Sequence, residues 1–369
     1  MATAVSESGL ATGSVPGTMT AAVYRGHGRV SIDTIETPQI GRGELLIRVE
    51  ACGICHTDLK KIEYDLLPAP RIFGHEMAGV VVATGDEVDG FEVGESVVAF
   101  HHIPCQNCFY CDRKFYAQCP TYKKVGVSAG WEPAGGGFGQ YVRVFDWIVK
   151  RGVEKIPAGV PFERACLVEP VNTVHKAVAQ LDPQPGDVVA ILGQGPIGLM
   201  FTMLVNRSGA RILATDTMAT RLELARRFGA EAAANPLSAD VVELAKSMTD
   251  GRGADSVIVA ASVPGIVEQA VRCSRPGARI LMFSQTSSKE HIDVTGADLV
   301  ALERTVFGVY SADVDLQKES ARLVFSGDIP VGELVTHCWP LNEIDRGIEL
   351  ALHPTENSLK MVVQPQRLS

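Results

Sequence analysis

The sequence predicts an α/β protein in two parts, a β-rich domain and a doubly wound parallel-sheet domain. Three observations carry this. At 369 residues the chain is longer than one hydrophobic core usually serves. From Met19 to about residue 170 it shows short β-like runs between glycine-rich turns, with little helical period. After "PQPGD" (183–187) apolar runs alternate with helical stretches, the pattern of a parallel sheet with helices on both faces.

Taken in order, residues 1–18 ("MATAVSESGLATGSVPGT") are small and polar, without a basic start or an apolar segment. They read as a tail and not as a secretory signal. The β-like runs follow: "TAAVY", "ELLIRVEAC", "MAGVVVATG", "ESVVAF" and "GQYVRV". "PAGGGFG" (133–139) has no flanking strand and helix and reads as a turn. In the second part "VVAILG" precedes a helix, "RILATD" precedes "MATRLELARRFG", and "EAAAN" precedes "ADVVELAKSM". "DSVIVAAS" then precedes "GIVEQAVRCS", and "RILMFS" follows. From about residue 312 helix, strand and helix are expected at "DLQKESARLVFSG", "ELVTHCWP" and "NEIDRGIELAL", with a last strand at "KMVVQP". No internal repeat is visible.

Residues 188–205 run eighteen positions without a charge, the length of a membrane-span candidate. Gly193, Gly195, Pro196 and Gly198 interrupt the run, so a buried strand, a tight turn and a buried helix fit it better. The formal net charge of -9 disfavours nucleic acid and anionic membranes as partners. Nine cysteines without a secretory leader point to a cytoplasmic, reducing location, where clustered cysteines bind metal more often than they pair.

"VVAILGQGPIGLM" sets Gly193-x-Gly195-x-x-Gly198 between strand and helix. The first glycine permits the tight turn, the second lets backbone approach a pyrophosphate, and the third lets helix pack on strand. The helix N-terminus adds its dipole to anion binding. Asp216 follows 18 residues after Gly198, at the end of the second strand, where an acid accepts hydrogen bonds from adenosine ribose hydroxyls and repels a 2′-phosphate. NAD is therefore expected over NADP. A helix cap is the plainer reading of Asp216, and Arg221 could instead recruit a phosphate.

"PCQNCFYCDRKFYAQCP" (104–120) packs Cys105, Cys108, Cys111 and Cys119 into one span. Four thiolates make a closed, structural zinc set; disulfides or inert thiols are the alternatives. Ligand types also occur in "CGICHTDLKK" (52–61), "FGHEMAG" (73–79) and "LVEPVNTVHKA" (167–177), as Cys55, His75, Glu76 and Glu169. A mixed, scattered set is what a catalytic zinc with an open position requires, although each residue alone reads equally as structural. Cys52, Cys166, Cys273 and Cys338 are isolated in apolar surroundings and expected to be buried. His101 and His102 are expected to line a strand end, and His175 the helix after Glu169.

"GHE" followed by "AGVV", the four-cysteine lobe, "EP" near 169 and "GQGPIG" occur in the order found in zinc-dependent medium-chain alcohol dehydrogenases, which the chain resembles from Met19 onward. The resemblance is closest to the sorbitol (polyol) dehydrogenase branch, with threonine and butanediol dehydrogenases nearby. It implies a GroES-like catalytic domain (19–172 and 312–369) around an inserted Rossmann NAD-binding domain (173–311). It implies hydride transfer from a secondary alcohol to NAD, with Cys55, His75 and Glu169 as catalytic-zinc ligands and Glu76 as a neighbouring or alternating fourth. Thr57 would relay the substrate proton, His56 lie near the pyrophosphate, and Ile197, Asp216 and Arg221 line the nicotinamide and adenosine sites. A homodimer or homotetramer is implied as well. Two positions depart from the pattern: Lys60 stands where a relay histidine is common, and Tyr310 lacks an adjacent arginine. The rival readings are a zinc-free quinone or enoyl reductase of the same architecture and a zinc-containing nucleic-acid-binding regulator.

Overall fold

The computed structural model describes residues 15–132, 135–284 and 294–368; most of the expected tail, up to residue 14, lies outside these, as do Pro133 and Ala134. Gly17 already accepts a hydrogen bond from the Thr37 amide, so ordered pairing begins two residues before Met19.

A hairpin of β1 (Thr18–Gly26) and β2 (Arg29–Glu36) opens the chain. Then come β3 (Leu45–Gly53), α1 (His56–Glu63), β4 (Glu76–Thr84), β5 (Ser96–Ala99), β6 (Val127–Ser128) and β7 (Tyr141–Val144). After them lie α2 (Asp146–Val149), β8 (Val153–Lys155), α3 (Phe162–Ala165) and α4 (Val168–Leu181). Helix α1 lies within the part expected to be largely β and was not among the elements read from the sequence. Its only buried apolar residues are Leu59 and Ile62, too few to give a period. It forms because Asp58 in the first turn and Lys60 and Lys61 in the last complement the helix dipole.

The alternating part contains β9 (Val188–Leu192), α5 (Pro196–Asn206), β10 (Arg211–Thr215), α6 (Ala219–Arg227), β11 (Ala232–Ala234) and α7 (Val241–Ser247). It continues with β12 (Ala254–Val259), α8 (Ile266–Cys273), β13 (Ser274–Met282), α9 (Gly296–Val300) and β14 (Thr305–Gly308). These strands make one parallel sheet in the order β11-β10-β9-β12-β13-β14. The order reverses direction beside β9, and ligands of such sheets sit at that switch point, outside the carboxyl ends of the strands. Every residue of β9 is buried, as a central parallel strand covered on both faces must be. The uncharged run 188–205 is thus strand, turn and helix, and among the described residues no helix is long and apolar enough to cross a membrane.

The chain then returns through α10 (Gln317–Ser326), β15 (Val335–Pro340), α11 (Ile344–Leu352) and β16 (Lys360–Gln364). β16 pairs antiparallel with β3, giving an eight-stranded sheet in the order β15-β16-β3-β4-β5-β8, with β7 attached at β3 and β6 paired with β7. One buried cluster runs from Ala51, Ala78 and Val98 of this sheet through Val171 and Val174 of α4 to Leu199 and Phe201 of α5. Each of the valine, leucine and phenylalanine side chains in it contributes about 1.5–3 kcal/mol on burial. Cys52, Cys166 and Cys273 are buried as expected, but Cys338 is exposed. It lies on β15, the outer strand of the sheet, and points outward in the strand alternation.

Candidate active site

Strand register brings distant ligand types to one rim of the eight-stranded sheet. Gly53 at the end of β3 pairs with Glu76 at the start of β4, Met77 with Ala99 at the end of β5, and Val362 of β16 with Gly53. Cys55 follows β3, His75 precedes β4, His101 follows β5, and Lys360 opens β16. One donor atom each from Cys55, His75 and Glu76 lie within 4.8 Å of one another. His75, His101 and Glu169 form an adjoining group by the same measure. Glu169, expected with Cys55, is grouped with His75 and His101, and His75 belongs to both sets.

The supports of these donors explain their state. Cys55 is the extended N-cap residue of α1 and makes no cap hydrogen bond; its side chain is hydrogen-bonded to His75 instead. Asp58 is fully buried and its two oxygens lie 3.1 and 3.0 Å from His75 Nδ1. That contact fixes the ring and leaves Nε2 as the donor for a metal, the carboxylate–histidine support common around zinc. Burial works against a charge on His75, yet Asp58 and Cys55 together hold it well above the usual imidazole range. Glu76, 1% exposed, is paired with the buried ammonium of Lys360, whose Nζ also donates to the Ile54 carbonyl. Burial pushes Glu169, in the first turn of α4, up to about 7. His101 and His102 are held below the usual range, chiefly by burial. His101 stands just past the end of β5, as expected, with a ring nitrogen within 4.8 Å of donor atoms of His75 and Glu169.

Thr57 is exposed, one residue before the buried Asp58 on α1. His56 is exposed, yet desolvation and the nearby cations of Lys360, Lys60 and Arg221 hold its imidazole below the usual range. Tyr310 is 59% exposed, and its carbonyl accepts from Lys176.

The four lobe cysteines form a separate group. The Sγ separations are 3.5 Å for Cys105–Cys119, 3.6 Å for Cys108–Cys111 and 3.9 Å for Cys105–Cys111. A tetrahedron with Zn–S bonds of about 2.3 Å has edges of about 3.8 Å, whereas a disulfide brings sulfurs to about 2.05 Å. The set fits a closed zinc site, and all nine cysteines are free. Although burial opposes it, backbone amides of Cys105 and Tyr122 draw the Cys119 thiol down to about 6.

At the glycine turn each residue has a distinct physical reason. Gly193 has φ +100°, and a Cβ there would lie 2.7 Å from that of Ala261. A Cβ on Gly198 would meet the Gly193 carbonyl at 1.9 Å, so helix and strand touch through glycine. At Gly195 the nearest atom is Arg221 Nη1 at 4.0 Å, which leaves open space beside the N-cap of α5 with Pro196 at its first position. Asp216 is not the cap of α6, which is Met218. Its Oδ2 accepts the Gln194 amide at 2.7 Å and its Oδ1 the Met218 amide at 2.9 Å, with Arg221 Nη1 3.8 Å away. Asp216 thus braces the turn itself.

Residues 41–158 match the alcohol dehydrogenase GroES-like domain, and residues 196–325 match the zinc-binding dehydrogenase family. Sorbitol dehydrogenase of Bacillus subtilis (strain 168) is 31% identical over 362 residues, spanning 96% of this chain and 100% of that protein. The chain belongs to the zinc-binding alcohol dehydrogenases. L-threonine 3-dehydrogenase of Pyrococcus abyssi (strain GE5 / Orsay) is 33% identical over 311 residues, spanning 82% of this chain and 86% of the relative. A solved zinc-binding dehydrogenase from Sinorhizobium meliloti 1021, bound to NADP, superposes with a TM-score of 0.84 at 28% identity, covering 95% of this chain and 100% of that one. This alcohol dehydrogenase has the GroES-like plus Rossmann architecture and oxidises secondary alcohols with zinc and a nicotinamide dinucleotide.

Sequence reasoning missed Asp58, Lys360 and the grouping of His101 with His75 and Glu169. Asp58 lies three residues from Cys55, so an acid in the turn after a ligand cysteine could have drawn attention. Lys360 lies 284 residues from Glu76, and no local signal joins them.

Proposed function

We propose that this dehydrogenase oxidises a polyol, cyclitol, vicinal diol or amino-alcohol to the ketone with NAD as acceptor. Cys55, His75 and Glu169 hold the catalytic zinc with Glu76 beside it, and Cys105, Cys108, Cys111 and Cys119 hold a structural zinc. When bound, the catalytic zinc makes an alcohol hydroxyl acidic enough to ionise near neutral pH. Asp58 orients His75 for that ion through Nδ1. Lys360 balances the carboxylate of Glu76 and keeps it at the edge of the donor set. Thr57 Oγ1 takes the substrate proton and passes it outward past His56; Lys60, on the same helix, stands at the outer end of the relay. The turn from Gly193 to Gly198 receives the pyrophosphate, Ile197 faces the nicotinamide, and Asp216 favours NAD over NADP while Arg221 steadies the phosphate side. The catalytic domain is formed by residues 19–172 and 312–369 and the nucleotide domain by 173–311. The enzyme works in the cytoplasm, which suits its free cysteines, as a homodimer or homotetramer.

The observation carrying this reading is that donors of Cys55, His75 and Glu76 lie within 4.8 Å of one another and those of His75 and Glu169 lie equally close, with His75 braced by the buried Asp58. It also speaks against a zinc-free reductase, which has no use for such a set. The experiment is reduction of NAD and of NADP against a panel of secondary alcohols, with metal content measured on the same sample. A zinc-dependent preference for NAD with polyols or diols is expected; equal turnover by metal-free enzyme would refute it.

A further inference from the structure

We infer that His101 is a metal donor of this enzyme: with His75 and Glu169 it forms a second seat for the catalytic ion, adjoining the Cys55–His75–Glu76 seat and sharing His75. The inference rests on the metal reading above and extends it to a residue that reading leaves out. A donor atom from each of His75, His101 and Glu169 lie within 4.8 Å of one another. Nitrogen and oxygen donors about 2.05 Å from a tetrahedral zinc stand about 3.3 Å apart. The three side chains therefore need to close by at most about 1.5 Å to share an ion.

The ring of His101 is placed for this. It lies 4.7 Å from that of His75, centroid to centroid, tilted by 40°. On its other side His102 packs at 4.0 Å, and His102 is in turn stacked on the buried Tyr122 at 4.7 Å. Tyr122 is anchored by its hydroxyl to Ser311 at 2.7 Å. This column holds His101 against the site, yet the Nδ1 of His101 is buried with no hydrogen-bond partner. A buried nitrogen left without a partner calls for an explanation, and ligation uses a lone pair that the fold does not otherwise use.

Charge argues in the same direction. Glu76 is committed to Lys360, at 2.7 Å through Oε1 and 2.5 Å through Oε2, which makes it a poor permanent ligand. Glu169 is the one carboxylate of the second seat. A neutral imidazole adds a donor without adding charge, and the second seat, free of sulfur, prefers ions that accept nitrogen and oxygen.

The test is zinc itself, titrated against a chelator in the full chain, with the second equivalent read as the open site. His101→Phe keeps a ring without a donor and should weaken that equivalent at least about tenfold, the range seen when supports of a zinc site are lost. His101→Asp restores a donor and should stay within about threefold of the parent. Co2+ placed in the open site should change its visible bands in His101→Phe while keeping the thiolate charge-transfer band of Cys55. Equal weakening in both variants would assign His101 to packing and overturn the inference, as would affinities unchanged in both. A parent chain that binds only one equivalent would overturn the broader zinc reading along with this one.

Discussion

The Nζ of Lys360 lies 2.5 Å from Oε2 of Glu76, with both residues buried, which ties the strand that opens near residue 360 to the metal rim of the sheet. Burial alone would lower the lysine, but Glu76 and Cys55 raise it to about 12. Removing one partner of a buried pair leaves an uncompensated charge, at a cost of about 3–5 kcal/mol. Lys360→Met should lower unfolding stability by that order in chemical denaturation, and Lys360→Met with Glu76→Gln should recover most of it. Equal midpoints for parent and Lys360→Met would show that the pair does not matter to the fold.

Asp58 acts through His75 and not on substrate. Asp58→Asn keeps the shape but weakens the orientation of the ring, so zinc affinity at the open site should fall about 10–100-fold. The lobe zinc should be retained. A chelator titration in which both zincs respond equally would contradict the assignment.

The proposed role of the lobe is that of a scaffold. Its sulfurs already stand at tetrahedral spacing, and Tyr116 and Tyr122 tie it to Asp315 and Ser311 on the segment that returns from the nucleotide sheet. Cys105→Ala should lower the melting temperature and increase protease sensitivity, and activity should fall only as the fold does. A variant with parental melting and no activity would give the lobe a chemical role.

Asp216 braces the glycine turn and, in the proposed function, also selects the cofactor. Its loss should weaken NAD binding and relax discrimination against NADP. It also strips the Gln194 amide of its acceptor, and an unpaired buried amide costs about 1–3 kcal/mol. Asp216→Ala should therefore be less stable even without cofactor, whereas Asp216→Asn should keep more of that stability. An unaltered NAD/NADP ratio in Asp216→Ala would remove the residue from cofactor selection.

The parts legible in the sequence were those written within one short segment. The glycine turn from Gly193 to Gly198 and the cysteine lobe carry their geometry in local spacing, and the alternating strands and helices around them follow from hydrophobic period. What stayed hidden depends on register. Whether Cys55 meets Glu76 or Glu169 is decided by how β3, β4 and α4 are placed, and Lys360 reaches Glu76 only because β16 pairs with β3. α1 was missed because capping charges hold it more than apolar period does. The exposure of Cys338 followed from an edge position that no local pattern reveals.

The most direct test of the central claim is anomalous diffraction at the zinc edge from crystals of the full chain. Two peaks per chain are predicted: one among the four lobe sulfurs, the other about 2.3 Å from Cys55 Sγ and about 2.0–2.1 Å from a His75 nitrogen. A lobe peak alone, with no metal between Cys55 and His75 in zinc-loaded, active enzyme, would contradict the account.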